Sequence, residues 1–306
     1  MKYFHPTKYL LSSIARPIFL CLLLTPALCY SQGNILTVLS GDNRIYQGFY
    51  SKLEDAFNEN HTLNQVQSVD INDEELEQYD LIISVGSRAA KAIADQKVKQ
   101  TVVYTLIPEK DSLLANNPCI NKNCYQVYIN QPVTRYVKLF KSLFTENNRL
   151  VLATTRVNSK LSQQLHTSAD NHGISYKAIK LDPDENITRS LISQLHKNDV
   201  LLALPNPAIY NSRYSKNVIL STYHKNIPII AYSKSFSKAG ALISLYSGID
   251  DVARKTATLV DSIYDSGLPK KKTYYPDSFS IEINSAVARS LNISIEPKNA
   301  IMRSIK

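Results

Sequence analysis

Glycine is scarce in this chain, with eight in 306 residues, and the common nucleotide-binding loops are missing. Neither G-x-x-x-x-G-K-[ST] nor G-x-G-x-x-G, the glycine patterns of loops that cradle phosphate, occurs in the sequence. Ser87 lacks the flanking glycines of the G-x-S-x-G turn that exposes a nucleophilic serine. The histidines beyond residue 31 have no spacing typical of metal ligands. We therefore expect no cofactor, no metal site and no catalytic serine.

Long apolar runs are also scarce, and the longest lies near the N-terminus, at Pro17–Cys29. It is shorter than the roughly 20 residues that span a bilayer, and basic residues precede it at Lys2, Lys8 and Arg16. This arrangement predicts a signal peptide over residues 1–31 and export to the periplasm. A lipid anchor at Cys29, or an uncleaved tether, is the alternative. The rest of the chain is expected to meet a membrane only through a transporter or such an anchor.

Cysteine is rare beyond the leader, where Cys119 and Cys124 are the two that remain. They are five residues apart and lie in the loop-like segment "NPCINKNCY". In an oxidising compartment this spacing predicts a small loop disulfide between Cys119 and Cys124. A metal site there is a weaker interpretation, because no histidine or second cysteine pair lies nearby in the sequence.

Concentrated charge of one sign is missing as well. The net charge is +9, and the densest basic run is "PKKK" at 269–272, in a linker-like stretch. A nucleic-acid surface requires clustered basic residues with interleaved aromatic ones, and the sequence has no such cluster. We therefore expect no nucleic-acid partner, and interpret the basic residues as a solvated surface.

What the sequence does contain is an alternation of short apolar strands with amphipathic helices of ten to eighteen residues. This alternation predicts an α/β fold with right-handed crossovers and parallel sheets. The strands are too many for one compact sheet, and a break near Asn130–Pro132 separates two similar series. We expect two doubly wound lobes joined by a hinge. The predicted N-terminal lobe comprises residues 32–130 and 248–268, and the C-terminal lobe residues 131–247 and 269–306.

Small polar residues follow several predicted strands, most clearly in "DLIISVGSRAAKAI" at Asp80–Ile93. In open parallel sheets, ligands bind beyond the carboxyl ends of the strands. Gly86 would let the backbone approach a ligand, and Ser87 is predicted to cap the following helix, whose first N–H groups suit a carboxylate. An ordinary well-capped turn at Ser84–Ser87 is the alternative that the residues alone leave open.

Several stretches resemble the ABC-transporter substrate-binding protein family of the type I periplasmic-binding fold, in the branch with aromatic-amino-acid binders. The match is carried by "LIISVGSRAAKAI", by Gly48-Phe49, and most of all by three segments, "DVLLALPNPAIYN", "NIPIIAYSKSFSKAGALISLYSGIDDVARKTATLVDSIYDSG" and "FSIEINSAVARSLNISIEP". The resemblance implies capture of a small ligand between closing lobes, without chemistry on it. Carried over by position, the implied ligand contacts are Tyr46, Ser84, Gly86, Ser87, Thr105, Asn206, Tyr210, Ser233 and Ser235.

Within the resemblance, Tyr46 or Tyr210 would stack on an apolar or aromatic ligand, and Asn206 stands where the family commonly has Asp. The expected partners are a small-molecule ligand and an ABC permease, and the expected state is a monomer. Two other functions stay open at this point. One is a ligand-sensing or accessory envelope protein that is not coupled to a transporter. The other is an exported enzyme in the same cleft, which requires a perturbed acid/base pair.

Overall fold

The computed structural model describes Met1, Tyr3 and residues 33–57, 61–96, 98–108, 123–155 and 159–306. The predicted leader, apart from Met1 and Tyr3, and Cys119 lie outside these ranges, so the signal peptide and the Cys119–Cys124 disulfide stay predictions. Within the described ranges, no helix is both long enough and apolar enough to cross a membrane.

The regular elements alternate along most of the chain. The strands are β1 (Asn34–Leu39), β2 (Thr62–Gln67), β3 (Leu81–Val85), β4 (Thr101–Ile107), β5 (Cys124–Tyr128), β6 (Arg149–Thr154), β7 (Ser175–Lys180), β8 (Asp199–Ala203), β9 (Ile229–Ala231), β10 (Ile243–Tyr246), β11 (Thr273–Tyr274) and β12 (Ser280–Ile283). The helices are α1 (Arg44–Phe57), α2 (Asp73–Leu76), α3 (Ser87–Ala94), α4 (Val133–Leu143), α5 (Lys160–Asn171), α6 (Ile187–Gln194), α7 (Ser215–His224), α8 (Lys234–Ala239), α9 (Ile249–Ser266), α10 (Ser285–Ser290) and α11 (Lys298–Ser304).

The described strands form two six-stranded sheets, as the alternation predicts. The first has the order β11-β5-β4-β3-β1-β2, and all its pairings are parallel. Apolar residues of α1 and α9 pack on one face, and those of α3 pack on the other. Burial on both faces explains why β3 is apolar along almost its whole length rather than alternating. This sheet and its helices are called the first lobe below.

The second sheet has the order β12-β10-β9-β8-β6-β7 and forms the second lobe with its own helices. Its strands β10-β9-β8-β6-β7 repeat the arrangement of β5-β4-β3-β1-β2 in the first sheet, with the second strand of the series at the edge and the first strand beside it. Helices α4, α5 and α11 cover one face, and α6 and α7 cover the other. Strand β12 runs antiparallel to β10, which differs from the purely parallel sheet that we predicted. It enters from the first lobe rather than through a crossover helix, so no parallel direction is imposed on it.

The chain passes between the lobes at three places among the described residues: after β5, after β10 and after β11. The third passage differs from the predicted boundary at 268/269, because Thr273 and Tyr274 still pair with β5 in the first sheet. A two-residue strand leaves no periodic pattern in the sequence, so its lobe is fixed only by this pairing.

Side chains tie the three passages together. The amide of Gln131, after β5, donates a hydrogen bond to Ser247 Oγ, after β10. Ser247 Oγ in turn donates to the carbonyl of Ser278, after β11, at 2.6 Å. Arg135 donates to the side chain of Gln131, and its guanidinium lies 4.1 Å from the centre of the Phe279 ring. These four contacts, called the hinge network below, link all three connections, and the central groups Gln131 and Ser247 are buried.

Candidate functional site

The strand orders place a crevice at the carboxyl end of each sheet. In the first sheet β1 lies beside β3, and the helices that follow these strands, α1 and α3, pack on opposite faces. In the second sheet the same holds for β6 and β8 with α5 and α7. When the helices that follow two neighbouring strands diverge to opposite faces, the space between them stays open, which is the usual ligand position in such sheets. The junction at Ser84–Ser87 therefore lies at the crevice of the first lobe.

Ser40, at the end of β1, organises that junction. Its hydroxyl donates to the carbonyl of Val85 at 2.7 Å and accepts from the N–H of Ala89 at 2.8 Å. The hydroxyl thus satisfies one free N–H in the first turn of α3 from a neighbouring strand. The prediction that Ser87 caps the helix is wrong, because Ser87 is its first residue and Gly86 holds the cap position without a side-chain bond.

Gly86 adopts a backbone conformation, φ 84° and ψ 171°, that only glycine takes readily. A Cβ at this position would lie 2.7 Å from Ser40 Oγ and 2.7 Å from the ring of Tyr46. Tyr46 is held by Asn43, whose side-chain oxygen accepts from the N–H groups of Ile45 and Tyr46 at the start of α1. The half-exposed Tyr46 ring therefore packs directly over the glycine turn, so the structure brings Tyr46, Gly86 and Ser87 together.

The start of α3 offers unused hydrogen-bond donors. The N–H groups of Ser87 and Arg88 have no acceptor within the described part of the chain, whereas those of Gly86 and Ala89 are bonded. The exposed guanidinium of Arg88 reaches to 4.0 Å from the Cβ position of Gly41, on the loop after β1. Free N–H groups at a helix start, together with a nearby guanidinium, suit a carboxylate. Arg88 was not identified from the sequence, because its position there is that of an ordinary exposed helix residue.

Two further predicted contacts of the first lobe point into the protein. Ser84 and Thr105 are both fully buried. The Thr105 hydroxyl lies 2.8 Å from that of Thr256 on α9, and because Thr256 donates to the carbonyl of Val252, Thr105 is the donor. The Ser84 hydroxyl is buried without a hydrogen-bond partner among the described residues. In this structure both residues support the strands beneath the turn rather than line its surface.

In the second lobe, Asn206 forms the tight loop that follows β8. Its side-chain oxygen accepts from the N–H of Ala208 at 3.1 Å, and its carbonyl accepts from the N–H of Tyr210 at 2.7 Å. Asn206 is half-buried, and its side-chain N–H groups have no acceptor within the described ranges. The loop thus presents two amide donors at the β6/β8 crevice while its backbone is fixed.

An aromatic cluster lies beside this loop. Tyr210 is 6% exposed, and its ring meets Phe236 edge to face at a centroid distance of 5.8 Å. Burial, with a smaller contribution from Tyr232, raises the pKa of the Tyr210 hydroxyl well above its ordinary value. Tyr232, which directly follows β9 and packs on Phe236 at 5.1 Å, is half-exposed. Tyr232 is therefore the more accessible ring, although no sequence pattern distinguishes it from Tyr210.

Ser233 and Ser235 extend the same side of the second lobe. Their hydroxyls bond to each other at 2.9 Å at the start of α8, and Ser233 holds the cap position of that helix without capping it. The second-lobe candidates Asn206, Ser233 and Ser235, with Tyr232, thus follow the neighbouring strands β8 and β9. No group of three or more His, Cys, Asp or Glu side chains in the described residues is arranged to hold a metal ion.

Comparisons with known proteins agree with this architecture. The family model described as "ABC transporter substrate binding protein" matches residues 35–302. The fold is similar to that of a conserved domain protein from Vibrio cholerae O1 biovar eltor (16% identity, 89% of this chain and 98% of that chain covered, TM-score 0.61). It is also similar to an ABC domain from Streptococcus pneumonia in complex with L-Trp (18% identity, 89% and 98% covered, TM-score 0.60).

A third similar structure is the ligand-free, open form of a substrate binding protein with adhesive properties from Clostridium difficile. It is 16% identical, with 87% of this chain and 97% of that chain covered, at a TM-score of 0.67. At these identities the structural matches show the fold alone. No curated protein sequence matches the chain.

Proposed function

Because the chain belongs to the ABC transporter substrate-binding protein family, we propose that it is an exported solute-binding protein that holds a small organic ligand between its lobes. In this role the two crevices face each other across a cleft, and the ligand is bound and released without any covalent change. The protein delivers the ligand to an ABC permease from the periplasm, after residues 1–31 have been removed. It works as a monomer.

The ligand class follows from the groups at the first crevice. A carboxylate accepts from the free N–H groups of Ser87 and Arg88 and lies within reach of the Arg88 guanidinium. Tyr46, packed over Gly86, offers a ring face beside that carboxylate. A ligand with a carboxylate next to an apolar or aromatic group, such as an apolar amino acid, fits this pair. The similar fold in complex with L-Trp supports the same class.

The second lobe completes the site when the lobes close. Asn206 supplies amide donors and Tyr232 an accessible ring, while Ser233 and Ser235 supply hydroxyls. Contacts with both lobes favour the closed form, so the ligand shifts the population toward closure. The observation that carries the proposal is the start of α3, where two backbone amides have no acceptor among the described residues and lie beside a glycine that keeps the surface open.

Two substitutions at one position test this site. Ser87→Ala removes the hydroxyl but keeps the N–H, whereas Ser87→Pro removes both. Proline is well tolerated at the first position of a helix, because that N–H has no helical acceptor. We expect Ser87→Pro to weaken ligand binding at least about tenfold relative to Ser87→Ala, since a hydrogen bond to a charged group contributes ~1.5–3 kcal/mol.

The ligand is first found by a thermal-shift screen of the purified chain against amino acids, peptides and small carboxylates, since binding to the folded state raises the midpoint. Calorimetric titration of the hit then compares the two Ser87 variants, with Tyr46→Ala as a test of ring stacking. Tyr223→Ala, which removes an exposed tyrosine on α7, is the matched control. Equal affinities of the proline and alanine variants would place the carboxylate elsewhere. A screen without any midpoint shift, together with turnover of a model ester or peptide, would favour an enzyme.

A further inference from the structure

A second concave surface lies on the second lobe, between α6 and α7. It encloses a volume of about 480 Å³, within the range of small-molecule sites. The residues that line it are Asn186, Thr188, Arg189, Ile192, Arg213, Tyr214, Asn217, Leu220 and Ser221. None of the cleft residues named above belongs to this groove, called the α6/α7 groove below.

Two arginines set the charge of the α6/α7 groove. Arg189 and Arg213 are exposed, and neither has a carboxylate partner among the described residues. Elsewhere Arg149 pairs with Asp199, and Arg254 pairs with Asp251. The lining itself contains no acidic residue. Unpaired guanidinium groups that share one concavity are suited to the bidentate binding of an anion.

The other lining groups combine neutral donors with an apolar surface. The Thr188 hydroxyl is buried and has no hydrogen-bond partner in the described part of the chain. Asn217 and Ser221 add polar groups on α7. The apolar part is formed by Ile192, by the ring of Tyr214 and by Leu220, which is 51% exposed. The guanidinium of Arg213 lies 5.2 Å from the centre of the Tyr214 ring, so charge and ring face occur side by side.

We propose that the α6/α7 groove is a second binding site, for a small organic anion that joins a phosphate-type dianion to an aromatic or apolar group. The two guanidinium groups hold the anionic oxygens. Tyr214 and Leu220 contact the apolar part. The site is separate from the cleft ligand of the proposed function, and neither site requires the other.

The test uses phenyl phosphate and inorganic phosphate as probes of the purified chain, with ¹H–¹⁵N correlation spectra recorded during each titration. We expect phenyl phosphate to shift amide signals around the starts of α6 and α7, and to bind more tightly than inorganic phosphate. The double variant Arg189→Gln/Arg213→Gln should weaken phenyl phosphate at least about tenfold, since two charge-assisted contacts are lost. A control double variant, Arg289→Gln/Arg303→Gln, removes the same charge from exposed positions on α10 and α11.

Three other results would contradict the proposal. An equal loss in both double variants would mean that the net charge, and not the groove, attracts the anion. Equal affinities for the two probes would remove the role of Tyr214 and Leu220. Shifts confined to the residues around Gly86 and Asn206 would place the anion in the cleft. Unchanged thermal midpoints of both double variants without ligand confirm that the comparison is made between folded proteins.

Discussion

Replacing Gly86 by alanine tests the geometry of the first crevice, and the chain provides a matched reference for it. Gly86 has φ 84° and ψ 171°, and Gly267, at the end of α9, has nearly the same conformation, φ 79° and ψ −171°. Both glycines lie at helix ends of the first lobe. They differ in their surroundings, because a Cβ at Gly267 would meet no atom within 4 Å, whereas one at Gly86 would overlap Ser40 and Tyr46.

The expected magnitudes follow from this difference. Alanine in that backbone conformation costs about 1–3 kcal/mol of unfolding free energy, and this strain applies to both sites. The 2.7 Å contacts at Gly86 add an overpacking term of roughly 1–3 kcal/mol. Gly86→Ala should therefore destabilise the chain by that additional amount relative to Gly267→Ala. It should also displace Tyr46 and weaken the cleft ligand, which Gly267→Ala should leave unchanged.

Urea unfolding followed by circular dichroism measures both variants, and titration with the ligand from the screen measures the second effect. Both substitutions lie in the first lobe, so the two variants report on the same cooperative unfolding transition and their urea midpoints can be compared directly. If the two variants unfold at the same urea concentration, Tyr46 and Ser40 do not crowd Gly86. If Gly86→Ala binds the ligand like the unmodified chain, the glycine turn is not part of the site.

Three further substitutions test the stability of the lobes. Asp199 is 2% exposed, and it accepts hydrogen bonds from Arg149 at 2.8 and 3.1 Å and from the N–H of His196 at 2.8 Å. Because Asp199→Ala leaves these donors without their partner, it should reduce the unfolding free energy by about 3 kcal/mol. Glu77→Ala, which breaks an exposed ion pair with Lys99, should change the unfolding free energy by less than ~1 kcal/mol. Similar urea midpoints for Asp199→Ala and Glu77→Ala would contradict the prediction for Asp199. Burial raises the pKa of Tyr104 from 10.0 to about 12, so the fold favours its neutral form. That stabilisation is complete below pH 10 and is lost as the pH rises towards 12. Tyr104→Phe should therefore make the urea midpoint fall less steeply between pH 10 and 12. If the urea midpoints of the variant and the unmodified chain fall in parallel with pH, the prediction is wrong.

Much of the α/β architecture could be predicted because burial on both faces leaves a strong pattern. Strands such as Leu81–Val85 are almost continuous apolar runs, and helices such as Ile249–Ser266 show a clear apolar face. Strand Thr62–Gln67 was missed, because it lies at the sheet edge and its residues are mostly polar and partly exposed. Strand Thr273–Tyr274 was missed because only its pairing with β5 defines it.

The site could be located from the sequence but not described in detail. The turn at Ser84–Ser87 follows an apolar strand and precedes a helix, so its position could be predicted. The capping group could not, because Ser40 reaches Ala89 from a strand that is 49 residues away in the chain. Likewise, nothing local distinguishes the buried Tyr210 from the half-exposed Tyr232, since their exposure depends on how both pack around Phe236.

The hinge network has a consequence for how the protein opens. Because Ser247 accepts from one connection and donates to another, the three connections form a bonded strap rather than three independent tethers. Such a strap resists twisting about the axis that runs from one lobe to the other. It still allows the lobes to bend towards and away from each other about the hinge. In the proposed function, ligand entry then depends on one opening angle between the lobes, and substitutions at Gln131 would allow the lobes to twist as well, without changing either crevice.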